Sequence, residues 1–134
     1  MRDFKELVAW QLCYTLKCEV FDSTETGPAA RDFKYRDQIR ESSASAPRNI
    51  AEGFGRYRPA EFARFLEYAV GSIDETKNSL MDGRDRKYLD AKLYSRLYNL
   101  ACAARRATRN LLLAKRRQAR RDASDRGDDG WQAL

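Results

Sequence analysis

The sequence predicts an all-α protein, an antiparallel up-and-down four-helix bundle whose second helix is kinked at a proline, on the strength of three observations. Apolar residues recur at three- and four-residue spacing in four long segments. The three prolines and seven glycines fall mostly where helices would have to stop. No β-type alternation of useful length and no internal repeat interrupts the pattern, so the connections are short and successive helices should reverse direction.

The first segment, about Asp3 to Asp22, places Phe4, Val8, Leu12, Leu16 and Val20 on one stripe and Leu7, Trp10, Tyr14 and Phe21 beside it. So wide an apolar face needs more than one neighbour. The stretch Ser23-Thr24-Glu25-Thr26-Gly27-Pro28 should break this helix. In the second segment, about Ala30 to Phe54, the core positions are Phe33, Ile39, Ser43, Ala46, Ile50 and Gly53. Small residues from Ser42 to Ala46 allow a neighbouring helix to approach closely. Pro47 lacks a backbone donor and crowds the carbonyl of Ser43, which should bend the helix or split it into two coaxial pieces.

Pro59 suits the first position of a third helix, with Glu61 near the positive end of its dipole. Phe62, Phe65, Leu66, Ala69, Ile73, Thr76 and Leu80 follow at helical spacing until Asp82-Gly83, which reads as a stop. Asp90 is the expected N-cap of a fourth helix with Leu93, Leu97, Leu100, Ala104, Ala107 and Leu111 in heptad register. Tyr94, Tyr98, Ala101 and Leu112 make a second stripe, which together with Trp10 and Tyr14 leaves more apolar surface than one bundle needs. The reading divides the chain into a bundle over residues 1–114 and a basic, then polar tail over 115–134, which should fray and lose order, with an isolated Trp131.

The chain has 134 residues, 43% hydrophobic and 34% charged, enough for one domain with one core and too polar for a membrane protein. No run approaches the roughly 20 apolar residues of a membrane span, and the N-terminus lacks the apolar stretch of a signal peptide, so the expected location is the cytoplasm. Cys13, Cys18 and Cys102 stand in no metal-ligand spacing and read as free thiols acting as small hydrophobes. Histidine is absent, which removes His-based triads and His-ligated zinc or di-iron sites. The remaining carboxylates, Lys, Tyr and Cys form no convergent cluster. No catalytic residue, metal ligand or cofactor is therefore expected.

The most distinctive block is Gln38-Ile39-Arg40, Ser45-Ala46-Pro47-Arg48-Asn49-Ile50-Ala51-Glu52-Gly53-Phe54-Gly55-Arg56, Glu61-Phe62-Ala63-Arg64-Phe65-Leu66 and Ala69-Val70-Gly71-Ser72. In order and separation, and with Leu7 and Trp10-Gln11 upstream, these strings resemble the 23S rRNA intervening sequence proteins. The likeness covers about Phe4 to Leu112 and departs from the usual pattern at Glu41 and Ala46. It implies an antiparallel four-helix protomer assembled as a ring-shaped homopentamer, with no catalytic residues. The chain is also distantly similar to the accessory variability proteins of diversity-generating retroelements, which implies a nucleic-acid context and a partner protein such as a reverse transcriptase.

Within the motif, Asn49, Glu52 and Arg56 can share one helix face, more readily organising the following turn than binding a ligand. Gly53 and Gly55 lie at a helix end, not between a strand and a helix as a phosphate loop requires. Asp74-Glu75 and Asp82 with Asp85 read as solvated faces. The formal net charge is +6. Residues 115–134 hold six basic side chains against four acidic ones, so most of the excess belongs to the body. Candidate phosphate contacts are Arg48, Arg56, Arg58 and Arg64 near the second turn, Arg105, Arg106 and Arg109 on the fourth helix, and Lys115, Arg116, Arg117, Arg120 and Arg121 in the tail. The tail set should contribute more, because a flexible segment can track a nucleic-acid backbone. Two functions remain open: a non-catalytic oligomeric adaptor that holds RNA or DNA weakly without base specificity, and a pentameric protein-interaction scaffold that binds no nucleic acid.

Overall fold

The computed structural model of the protein describes the backbone of residues 2–133 and the side chains of residues 2–126. All its regular elements are helical, and no strand occurs among the described residues. A 3-10 turn at Phe4–Glu6 precedes α1 (Val8–Ser23), the short α2 (Gly27–Arg31), α3 (Phe33–Phe54), α4 (Pro59–Asp85) and α5 (Ala91–Ala133). α3 packs on α4, α4 on α5, and α1 on both α3 and α5, while α2 lies against α3. The four long helices enclose one core in which Leu16, Ile39, Ile50, Leu66, Ile73, Leu80 and Leu97 are fully buried. Each such side chain contributes about 1.5–3 kcal/mol of transfer free energy. No helix among the described residues is long and apolar enough to cross a membrane.

The expected stripe of the first helix holds at Leu16 and Val20 and fails at its start, where Val8 faces out. Leu7 caps α1 with extended backbone (φ −73°, ψ 125°) instead of continuing a helix from Asp3. The core therefore takes Leu7, Ala9, Cys13, Leu16 and Val20, and Val8 is 62% exposed. The same kind of shift separates Phe33, 65% exposed, from the buried Tyr35. Gly27 and Pro28, expected only to break a helix, open α2: Gly27 takes φ 80° and Pro28 occupies the first turn, where its missing N–H costs nothing. α3 runs through Pro47 as one helix, so the expected split does not occur.

Asp82-Gly83 is not a stop, since α4 continues to Asp85. Gly83 is instead a close approach, because a Cβ there would stand 2.2 Å from the Tyr35 hydroxyl. Asp90 caps α5 as expected, its carboxylate accepting from the Leu93 amide at 2.7 Å. On α5 the buried positions are Leu97, Ala101, Ala104, Thr108 and Leu112, so Ala101 and Leu112 belong to the core and not to a surplus stripe.

Past Leu113, α5 continues to Ala133. Residues Ala114-Lys115-Arg116-Arg117-Gln118-Ala119-Arg120-Arg121 are all strong helix formers. Two of them are also tied to α4, Lys115 over the Phe62 ring at 5.4 Å and Arg116 paired with Glu67. The boundary placed at residue 114 has no counterpart in the backbone. The Trp131 side chain lies outside the described residues. Of the three free thiols, Cys13 is buried as expected and Cys18 is exposed.

Candidate nucleic-acid interface

Most of the distinctive sequence block is used in helix packing. Arg40 reaches the end of α1, donating to the Thr24 hydroxyl at 2.8 Å and the Phe21 carbonyl at 3.2 Å, with its guanidinium 4.7 Å from the Phe21 ring. A cation at a helix C-terminus answers the dipole, and here it adds a donor to a carbonyl that the Thr24 amide and hydroxyl also reach. Ser42 bonds Thr76 at 2.9 Å and Ser45 bonds Ser72 at 2.8 Å, a polar seam between α3 and α4. Asn49 donates back to the Ser45 carbonyl and hydroxyl, and not to Glu52 or Arg56. Ile50 is fully buried, and at Gly53 a Cβ would stand 2.8 Å from both Phe62 and Phe65. Glu52 and Arg56 form the expected pair at 2.8 Å. The small residues and serines thus set how closely two helices approach, which is a structural task.

The candidate cations divide by whether a carboxylate already holds them. Arg48 pairs with Glu41 at 2.9 Å, Arg56 with Glu52, Arg105 with Asp74 at 2.8 Å, and Arg116 with Glu67. The bond to Asp74 raises the Arg105 guanidinium further above its ordinary value. Asp74 is therefore an ion-pair partner and not merely a solvated face. Arg64 donates to the Tyr68 hydroxyl at 3.0 Å and Lys115 to the Gln118 side chain at 3.2 Å. Among the described residues Arg58, Arg106, Arg109, Arg117, Arg120 and Arg121 meet no carboxylate.

Five of those six are on α5, at spacings that place Arg106, Arg109, Arg117, Arg120 and Arg121 on the side away from buried Ala101, Ala104, Thr108 and Leu112. All five are exposed. They span roughly 22 Å along the helix at 1.5 Å per residue. The uninterrupted α5 joins what the sequence separates into a helix-four set and a tail set, and it removes the flexible-segment argument for the tail. Arg48, Arg56 and Arg64 are not part of this stripe. Arg58 caps α4 and lines a recess with Tyr57, Asp122 and Arg126.

A second cleft, between α4 and α5, is lined by Lys77, Cys102, Arg105, Arg106, Arg109 and Asn110. Lys77 escapes a sequence search for basic clusters because it stands alone between Thr76 and Asn78. Between α1 and α3 lies a third concavity, mainly apolar, in which Phe4, Trp10, Tyr14 and Pro47 are rimmed by Lys17 and Arg48. Trp10 stacks on Tyr14 with ring centroids 4.7 Å apart. No group of three or more Cys, Asp or Glu side chains placed to hold a metal ion occurs among the described residues.

The family described as 23S rRNA-intervening sequence protein matches residues 5–110 of the chain. No curated protein matches it.

Proposed function

Because the chain belongs to the 23S rRNA-intervening sequence protein family, we propose that it is a non-catalytic, oligomeric adaptor that holds RNA or DNA weakly through phosphates, without reading base sequence. The observation that carries this reading is the line of five exposed arginines on α5 that no described carboxylate neutralises. A polyanion that reaches them need not displace an intramolecular partner, as it must at Arg48 or Arg56. Among the described residues no helix offers a recognition pattern for base edges, so affinity comes from charge and counterion release.

The protomer belonging to this reading is an antiparallel four-helix bundle of α1, α3, α4 and α5, with α2 as a short insertion. Cross-helix pairs support it: Ser42 meets Thr76 while Ser45 meets Ser72, and Asp74 meets Arg105 while Glu67 meets Arg116. In both seams one number rises as the other falls. The assembly is a cytoplasmic homopentamer, whose ring repeats the α5 stripe and concentrates its field. The apolar α1–α3 concavity favours a second reading, a pentameric scaffold that docks a partner protein.

Fluorescence anisotropy of labelled RNA and DNA against salt separates the two. Unrelated sequences should bind alike, with log K falling linearly in log salt. Replacing Arg106, Arg109, Arg117, Arg120 and Arg121 by Gln should flatten that slope by up to about one unit per phosphate contact removed, and replacing the paired Arg48 and Arg56 should change it far less. Absence of binding at about 50 mM salt, where charge contacts are strong, rejects the nucleic-acid reading in favour of the scaffold.

A further inference from the structure

We propose that the groove between α4 and α5 is a seat for single-stranded nucleic acid, in which Tyr94 and Tyr98 meet unpaired bases while Lys77, Arg106 and Arg109 hold the adjoining phosphates. The inference rests on the nucleic-acid reading and narrows it to one strand state. Tyr94 and Tyr98 are half-buried one turn apart on α5, with ring centroids 5.4 Å apart and planes tilted by 32°. A cation from α4 lies over each ring, Arg84 4.7 Å from the Tyr94 centroid and Lys77 5.2 Å from that of Tyr98, and a base takes that face as the cation turns to the adjoining phosphate.

Lys77 stands between the two parts of the seat. It touches Tyr98 and also lines the basic cleft with Arg106 and Arg109, so it borders both the aromatic pair and the free arginines. A nucleotide has the same arrangement, a flat base beside a phosphate. Base-on-aromatic stacking tolerates any sequence because every base has a π-face. In a duplex the bases face inward, so the tyrosines meet only the sugar–phosphate rim while the arginines still find phosphates. The surface therefore separates strand states by its aromatic part and binds both by its charged part. An acidic protein would satisfy the cations but has no flat partner for the rings at regular distance from each charge.

The test is anisotropy at low salt with the full chain and three labelled probes of about 20 nucleotides: oligodeoxythymidylate, an abasic strand of equal length, and a duplex. Tyr98→Leu keeps an apolar side chain but no ring. It should weaken the thymidylate strand roughly five- to tenfold and leave the abasic strand and duplex within about twofold. Tyr98→Trp enlarges the ring and should tighten the thymidylate strand alone, a readout that stands even if Tyr98→Leu does not fold. The double replacement Arg106→Gln with Arg109→Gln should weaken all three probes. Equal binding of the thymidylate and abasic strands, or equal effects of the Tyr98 variants on single strand and duplex, overturns the seat while leaving the phosphate reading intact. No binding of any probe by the unaltered protein overturns both.

Discussion

At Gly83 a helix that reads as ending continues, and the reason is the space above it. Tyr35, 5% exposed, lays its ring across the α4 backbone, with its hydroxyl 2.2 Å and its Cζ 3.0 Å from where a Cβ would sit. The Leu89 side chain stands 3.3 Å away on the other flank, and Tyr88 packs edge-on against Tyr35 with centroids 5.1 Å apart. The Tyr35 ring is thus held and cannot easily yield. Gly83→Ala should therefore destabilise by about 1–3 kcal/mol, as overpacking does, despite the better helix propensity of alanine. Tyr35→Phe removes the nearest atom, so the cost of Gly83→Ala in that background should be smaller. Urea unfolding of the four proteins in the cycle measures the coupling, and an additive pair would show that the hydroxyl is not what Gly83 accommodates.

At the scale of the element, Asp32 ties the start of α3 to the connection between α4 and α5. Its carboxylate accepts from the Tyr35 amide at 3.2 Å as an N-cap, from the Tyr88 hydroxyl at 2.7 Å, and from Arg86 at 3.3 Å. The Tyr88 bond, then the amide, holds its carboxyl below the usual range. A carboxylate lowered on folding stabilises above its unfolded value of about 3.9, and that contribution disappears as pH falls through the folded value. Asp32→Asn should lower the urea midpoint at neutral pH, and the gap to the parent protein should narrow as pH falls below the ordinary carboxylate range and through the lowered folded value. A gap that persists there would assign the effect to shape instead of charge. Local signals of this kind were the legible ones: the Asp90 cap, Pro59 at the start of α4, and the helical spacing of Phe62, Leu66, Ala69, Ile73, Thr76 and Leu80 hold, whereas of the heptad positions on α5 Leu97 and Ala104 are buried and Leu93, Leu100, Ala107 and Leu111 only half-buried. What spacing misplaces is the first turn after an irregular connection, as at Val8 and Phe33: a strict four-residue repeat drifts about 40° per step around a helix, so its early members leave the buried face while Leu16, Val20 and Ile39 stay on it. The candidate site was legible as charge and not as geometry. Basic residues can be counted in a sequence, whereas the carboxylates that neutralise Arg105 and Arg116 are 31 and 49 residues away, and Lys77 joins Tyr98 only across a helix pair.

For the whole molecule, charge and apolar surface make opposite demands on assembly. Each chain carries +6, and a ring of like-charged copies opposes its own closure. What offsets that repulsion must be surface that gains from leaving water, and the Phe4–Trp10–Tyr14 cluster, with Pro47 beside it, is the clearest supply outside the core. Apolar burial changes little with moderate salt, while repulsion between exposed charges is screened over about 10 Å at 0.1 M and over about 3 Å at 1 M. Salt should accordingly leave the oligomer intact or strengthen it, and over the same range release bound nucleic acid. Light scattering at about 50 and 500 mM salt should give the same multiple of the 15.5 kDa chain mass, or a larger one at high salt, as binding to labelled nucleic acid collapses. Trp10→Ser should shift the mass toward one chain while the core, in which Trp10 takes only a peripheral part, stays folded. A mass of one chain at both salt concentrations would remove the oligomer, and with it the argument that repetition of the α5 stripe raises affinity.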